Sequence, residues 1–304
     1  MKSSLSFDPA PKPASNGRPA EIEEVSNTVL VHPLARALVG ALLHTPVTPN
    51  QVSIASVFAA AAAAYCYVAM PWPWGPIAGL AAMILWHVLD GADGDLARRS
   101  GRTSDMGELI DGVCDHLSQV LVNVAYGIIL QRTMGGWAWA IVGIGGAAHF
   151  VQSNAYETGR KTYRRWVYGA DWMRQTLPGS GGFRGVLGGF YMAFSTLFSP
   201  GEAELESAMA GSLVAGSETA ARARDLYRQA MAPLVKRSGL LGGNSRTMVG
   251  FLSLLIGSPI WYYIFEIVVL NGVLAITLSA RARANRRLAH GLALSATQAA
   301  SAPN

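Results

Sequence analysis

Cysteine is nearly absent from this chain, and the two present, Cys66 and Cys114, fall inside apolar stretches. Residues so placed suit packing between helices, and nothing about them suggests a disulfide framework. Charge is scarce too, at 14% of 304 residues against 51% hydrophobic, with a mean hydropathy of +0.26. That is too apolar for an ordinary soluble domain. No apolar run follows the early Lys2, so no secretory signal peptide is expected. The formal net charge of +5 is modest, and its bases cluster beside apolar segments. Such a pattern fits anionic lipid headgroups and the inner flanks of membrane helices; no nucleic-acid partner is expected.

What the chain does have is concentrated in residues 90–115, which read DGADGDLARRSGRTSDMGELIDGVCD. Asp90, Asp93, Asp111 and Asp115 are separated by three, eighteen and four residues, so each outer pair shares one face of a helix and a polar turn lies between. Both halves run into strongly apolar sequence, which sets the carboxylates at or below a membrane surface. Unpaired carboxylates are costly there. Divalent cations would neutralise them, and an all-oxygen donor set suits Mg, Mn or Ca rather than zinc. Gly94 and Gly107 put a small residue on the face of each acidic pair, and Arg98 lies one turn past Gly94, where a guanidinium can grip a phosphate.

Acidic pairs near a helix end are normally solvated surface, but four carboxylates interleaved with two glycines and an arginine between membrane segments favour a site. An EF-hand loop fails on position: counting from Asp93, Ala97 and Arg98 stand where a ligand and a glycine are required.

These residues fit the signature D-x2-D-G-x2-A-R-x8-G-x3-D-x3-D at Asp90, Asp93, Gly94, Ala97, Arg98, Gly107, Asp111 and Asp115, and the chain thereby resembles the CDP-alcohol phosphotransferase family. The resemblance implies metal ligation by Asp90, Asp93 and Asp111, with Asp115 as a ligand or as the general base on the acceptor alcohol. It implies Mg2+ or Mn2+, two ions in all, and a nucleotide-facing set of Gly94, Ala97, Arg98 and Gly107. Family members carry a similar Pro-Asn start near the nucleotide, which adds Asn50. A CDP-linked donor, an alcohol acceptor and a homodimer are further implications.

Taken in order, residues 1–25 read as a disordered tail rich in Pro, Ser and Ala. Residues 26–160 hold an interfacial helix from Pro33 to His44 and four membrane helices, near 52–70, 77–98, 107–130 and 138–160. Pro49 suits a first helical turn. Residues 161–245 interrupt the membrane pattern and read as a cytoplasmic or interfacial insert, with 182–198 too short and glycine-broken to span, and with Leu226, Ala230 and Leu234 in helical period. Residues 246–287 give two more membrane helices, 247–256 and 260–280, and 288–304 a disordered tail. Glu266 in the last of these reads as a buried, hydrogen-bonded glutamate. The expected fold class is all-α and polytopic, with six transmembrane helices.

With the amino terminus inside, the bases at 98–102, 160–165 and 281–287 all face inward, and so does the acidic turn. The expected location is the inner, cytoplasmic membrane. Arg160, Lys161, Arg164 and Arg165 form a basic cluster that suits an anchor or a phosphorylated acceptor, and the second use leans the reading toward CDP-diacylglycerol as donor. The other branch moves a CDP-linked headgroup onto a lipid or polyol alcohol. A divalent-cation transporter is the reading from another class, but a cation pathway has no use for Arg98 between two glycines.

Overall fold

In the computed structural model, residues 19–169, 201–214 and 217–301 are described, and every regular element among them is a helix. In chain order they are α1 (His32–Leu42), α2 (Pro49–Ala69), α3 (Trp74–Arg99), α4 (Asp105–Met134), α5 (Trp137–Tyr168), α6 (Glu202–Val214), α7 (Ser217–Arg237), α8 (Gly243–Leu255), α9 (Ile260–Ile264) and α10 (Leu270–Ser301). A π turn over Asn27–Val31 leads into α1, and another over Phe265–Val269 joins α9 to α10.

Four of these stretches are long and apolar enough to cross a membrane: Pro49–Ala69, Trp74–Arg99, Met106–Met134 and Ile260–Ser295. The other two segments expected to span are helical as well. Of these, α5 is 32 residues long but turns polar from Gln152 onward, and α8 has only 13 residues. The α1 helix forms where the interfacial helix is expected. The apolar stretch 182–198 lies outside the described residues.

The chain divides into two units. One comprises Glu24–Val151 and Leu240–Asn271. In it, Thr48 caps α2 in a capping box: Gln51 N–H donates to Thr48 Oγ1 at 3.4 Å and Thr48 N–H to Gln51 Oε1 at 2.8 Å, while Pro49 sits at the first helical position. Ala59, Ala60 and Ala63 are buried along α2, and side chains this small let α3 and α4 approach closely. Val39, Val52, Val88 and Leu96 close one core between α1, α2 and α3. A second core gathers Tyr67, Met83, Tyr126, Leu130, Tyr262 and Tyr263 from α2, α3, α4 and α9. Glu266 is buried as expected, with Arg246 Nε 3.1 Å from both carboxylate oxygens and His149 Nδ1 3.4 Å from Oε1.

The other unit comprises Met1–Glu23, Gln152–Gly239 and Gly272–Asn304, and its core packs Tyr163, Trp166, Leu205, Met209, Tyr227 and Met231 around Ile22. Two expectations change here. The 1–25 tail is ordered by its end: Ala20–Ile22 forms a 3-10 turn, Ile22 is 1% exposed, and Glu21 accepts hydrogen bonds from the hydroxyls of Tyr163, at 2.9 Å, and Tyr168. The 288–304 tail is also helical, as α10 runs on to Ser301, its alanines and leucines favouring helix while Ala289 and Leu292 are buried in this core. The helical period of Leu226, Ala230 and Leu234 falls in α7, whose buried stripe is Ala223, Tyr227, Met231 and Val235. Both stripes have helical period, and the one with the larger aromatic and Met surface is buried.

Candidate metal and nucleotide site

The site is built where α3 stops and α4 starts. Gly101, at φ +68°, ends α3 in a Schellman arrangement: Arg102 N–H bonds Ala97 C=O at 2.9 Å and Gly101 N–H bonds Arg98 C=O at 3.4 Å. Three residues later Ser104 caps α4, its Oγ accepting from Gly107 N–H at 3.0 Å. The acidic pairs therefore lie within the last turns of one helix and the first turns of the next, which rules out an EF-hand loop counted from Asp93.

Within this frame, one carboxylate oxygen each from Asp90, Asp111 and Asp115 come within 4.8 Å of one another. All three residues are half-buried. Asp115 Oδ1 is buried with no hydrogen-bond partner. Three anionic groups this close repel unless a shared proton, as the Asp90–Asp115 hydrogen bond implies, or a cation relieves them, and the unpartnered oxygen could serve as a ligand. An all-oxygen donor set at this spacing fits a hard divalent cation.

The fourth aspartate is not among these three but touches them, with a side-chain hydrogen bond between Asp93 and Asp111. Asp93, 4% exposed, accepts from Ser53 Oγ–H at 2.5 Å through Oδ2 and from Gly94 N–H at 2.5 Å through Oδ1. Each carboxylate oxygen has a second lone pair, so those bonds orient Asp93 without using up its capacity to bind a metal. Its partner Ser53 was not singled out in the sequence. The signal was there: Ser53 lies three residues after Asn50, on the same side of α2.

Among the expected nucleotide-facing residues, Asn50 lies beside Gly107 and Arg98 beside Gly94. A Cβ on Gly107 would stand 3.5 Å from Asn50 Oδ1 and 3.2 Å from Ser104 Oγ, and a Cβ on Gly94 would stand 3.3 Å from Arg98 Nη1. Any larger side chain at either glycine would fill the space between backbone and these polar groups. Ala97, between them in sequence, is half-buried, and Arg98 is exposed. Asp95, assigned no role from sequence, holds Arg99 Nε at 3.1 Å and has Arg98 Nη2 at 3.9 Å. His116 is exposed, and its Nδ1 lies 2.7 Å from Gly112 C=O.

The basic cluster belongs to the other unit. Arg160 pairs with Glu23 at 3.5 Å and Glu157 at 3.4 Å, and Arg165 pairs with Glu206 at 2.7 Å while lying over the Trp166 ring. Lys161 and Arg164 are half-buried on the same helix.

Apolar, membrane-length helices with a carboxylate trio at the junction of two of them mark a membrane protein whose grouped oxygens could hold a divalent cation. Residues 46–173 match the family model of CDP-alcohol phosphatidyltransferase, so this stretch is a CDP-alcohol phosphatidyltransferase domain, and that is a family of enzymes. The family acts on CDP-alcohol donors and alcohol acceptors and depends on divalent metal. No curated protein matches the chain closely enough to count as a relative.

Proposed function

We propose that this protein moves a phosphatidyl group, or another alcohol-phosphate group, from a CDP-linked donor to an alcohol acceptor and releases CMP. The observation that carries the reading is the convergence of Asp90, Asp111 and Asp115 inside the matched stretch, with Asp115 Oδ1 buried and unpartnered.

Asp90, Asp93 and Asp111 are assigned as ligands of Mg2+ or Mn2+, two ions in all, with Asp115 as a further ligand or the base. Bound there, the cation supplies positive charge against the donor's pyrophosphate and steadies its leaving group. Arg98 holds a phosphate oxygen, and Gly94, Ala97, Gly107 and Asn50 leave room for the nucleotide against backbone. Asp115 takes the proton of the acceptor hydroxyl. The acceptor oxygen then forms a bond to the phosphorus bearing the transferred alcohol, the bond from that phosphorus to the CMP oxygen breaks, and CMP leaves with the electron pair.

The donor assigned first is CDP-diacylglycerol with a small, phosphorylated acceptor held by the basic cluster of Arg160, Lys161, Arg164 and Arg165. The engagement of Arg160 and Arg165 in ion pairs favours the other branch, transfer of a CDP-linked headgroup to a lipid or polyol alcohol. We further assign six spans, α1 on the bilayer surface, residues 161–245 and the carboxylates on the cytoplasmic side of the inner membrane, and a homodimer. The inward bases support that orientation.

The test is CMP release by purified protein in detergent with Mg2+, using CDP-diacylglycerol and CDP-linked headgroups against a panel of alcohols. Release with one pairing, abolished by chelation and by Asp115→Asn, is expected. Silence with every pairing would overturn the reading.

A further inference from the structure

Ser118 carries a hydroxyl that the fold leaves unused. It is 1% exposed, and its Oγ has no hydrogen-bond partner. The other buried serines among the described residues behave differently. Ser53 donates to Asp93, and Ser56, Ser212, Ser238 and Ser253 each donate to a backbone carbonyl three or four residues back, at 2.7, 2.9, 2.6 and 2.9 Å. That bond is the usual refuge of a serine inside an apolar helix. Ser118 lies within α4 with Cys114 C=O four residues behind it, yet makes no such bond.

Its position gives the reason. Asp111, Asp115, Ser118 and Val122 follow one another at helical spacing along one face of α4. Two successive members of that row, Asp115 and Ser118, have buried oxygens without partners. A buried polar atom without a partner is costly, and two adjacent ones mark a place where a polar ligand completes the set.

We propose that Ser118 binds the acceptor alcohol. Its hydroxyl hydrogen-bonds the acceptor oxygen on the side away from the carboxylate trio and presents the acceptor proton to Asp115. The step is the one given above: the proton passes to Asp115, the acceptor oxygen bonds to phosphorus, and CMP leaves. Ser118 exchanges no proton. The inference rests on the transferase reading and on the assignment of Asp115 as base.

The test is steady-state CMP release by the full-length protein, with donor and acceptor varied in turn, for wild type, Ser118→Ala and Ser118→Thr. Alanine keeps the close packing of a small residue and removes only the hydroxyl. The expected result for Ser118→Ala is an acceptor KM raised about tenfold, with the donor KM changed by less than about twofold and the melting temperature preserved. Ser118→Thr, which keeps a hydroxyl, should restore the acceptor KM. Unchanged acceptor KM in an active Ser118→Ala enzyme, or equal rises for donor and acceptor, would overturn this inference and leave the transferase reading standing. Wild type inactive with every donor and acceptor would overturn both.

Discussion

Ser53 donates its hydroxyl to Asp93 Oδ2 at 2.5 Å, linking the first turns of α2 to the last turns of α3. Removing that donor leaves a buried carboxylate oxygen without its partner. Hydrogen bonds to charged groups are worth about 1.5–3 kcal/mol, so Ser53→Ala should slow CMP release by roughly 10- to 100-fold if the bond sets Asp93 for the metal. Wild-type turnover in this variant would mean that Asp93 needs no such support.

The carboxylate trio gives a prediction that needs no turnover. Mg2+ or Mn2+ should raise the melting temperature of the detergent-solubilised protein, because a ligand that binds only the folded state stabilises it. Asp111→Asn should abolish that rise and cut CMP release by about two to three orders of magnitude. A variant that still responds to the cation would remove Asp111 from the ligand set.

Arg246 and Glu266 form a buried pair, 4% and 0% exposed by side chain, 3.1 Å apart. Taking away one member strands the other charge, a loss of about 3–5 kcal/mol. Glu266→Ala should therefore melt well below wild type, while the double replacement Arg246→Leu with Glu266→Leu should recover much of the difference. If the double variant is no better than the single, the two residues act independently.

Glu21 titrates below its ordinary 4.5: burial pushes it up, but the hydroxyls of Tyr168 and Tyr163 and the charge of Arg228 together outweigh that. Burial and the Glu21 carboxylate push Tyr168 up to about 12. A carboxyl depressed by folding adds stability above its unfolded value, and this is lost as pH falls through the folded one. The melting-temperature gap between wild type and Glu21→Gln should thus be widest at neutral pH and close as pH drops below about 4.5. A gap that stays constant to pH 3 would show that the charge on Glu21 contributes nothing.

Arg164→Ala tests the acceptor role of the basic cluster. It should raise the acceptor KM more than the donor KM; equal effects would return Arg164 to the role of a membrane-flanking base.

The parts of the fold that could be read in the sequence were those with local causes. The acidic pairs, Gly94, Arg98 and Gly107 are spaced by the helix repeat, and the start of α2 follows from Thr48, Pro49 and Gln51, all within one turn. Apolar runs marked α2, α3, α4 and the last span for the same reason. Contacts between distant parts of the chain left no such trace. Ser53 and Asp93 are forty residues apart, and Arg246 and Glu266 twenty. The tail after Arg287 looked unstructured because its residues carry no strong pattern, yet Ala289 and Leu292 are fixed by helices elsewhere in the chain. In α7 two apolar stripes compete, and only the partner surface decides between them.

The longest interval in the signature, the eight residues between Arg98 and Gly107, contains none of the residues assigned to chemistry. It contains a stop and a start: the left-handed Gly101 that ends one helix and the Ser104 that begins the next. Its length is therefore a piece of carpentry. It measures the reversal that joins two acidic helix ends, and it depends on a glycine at 101 and a capping side chain at 104.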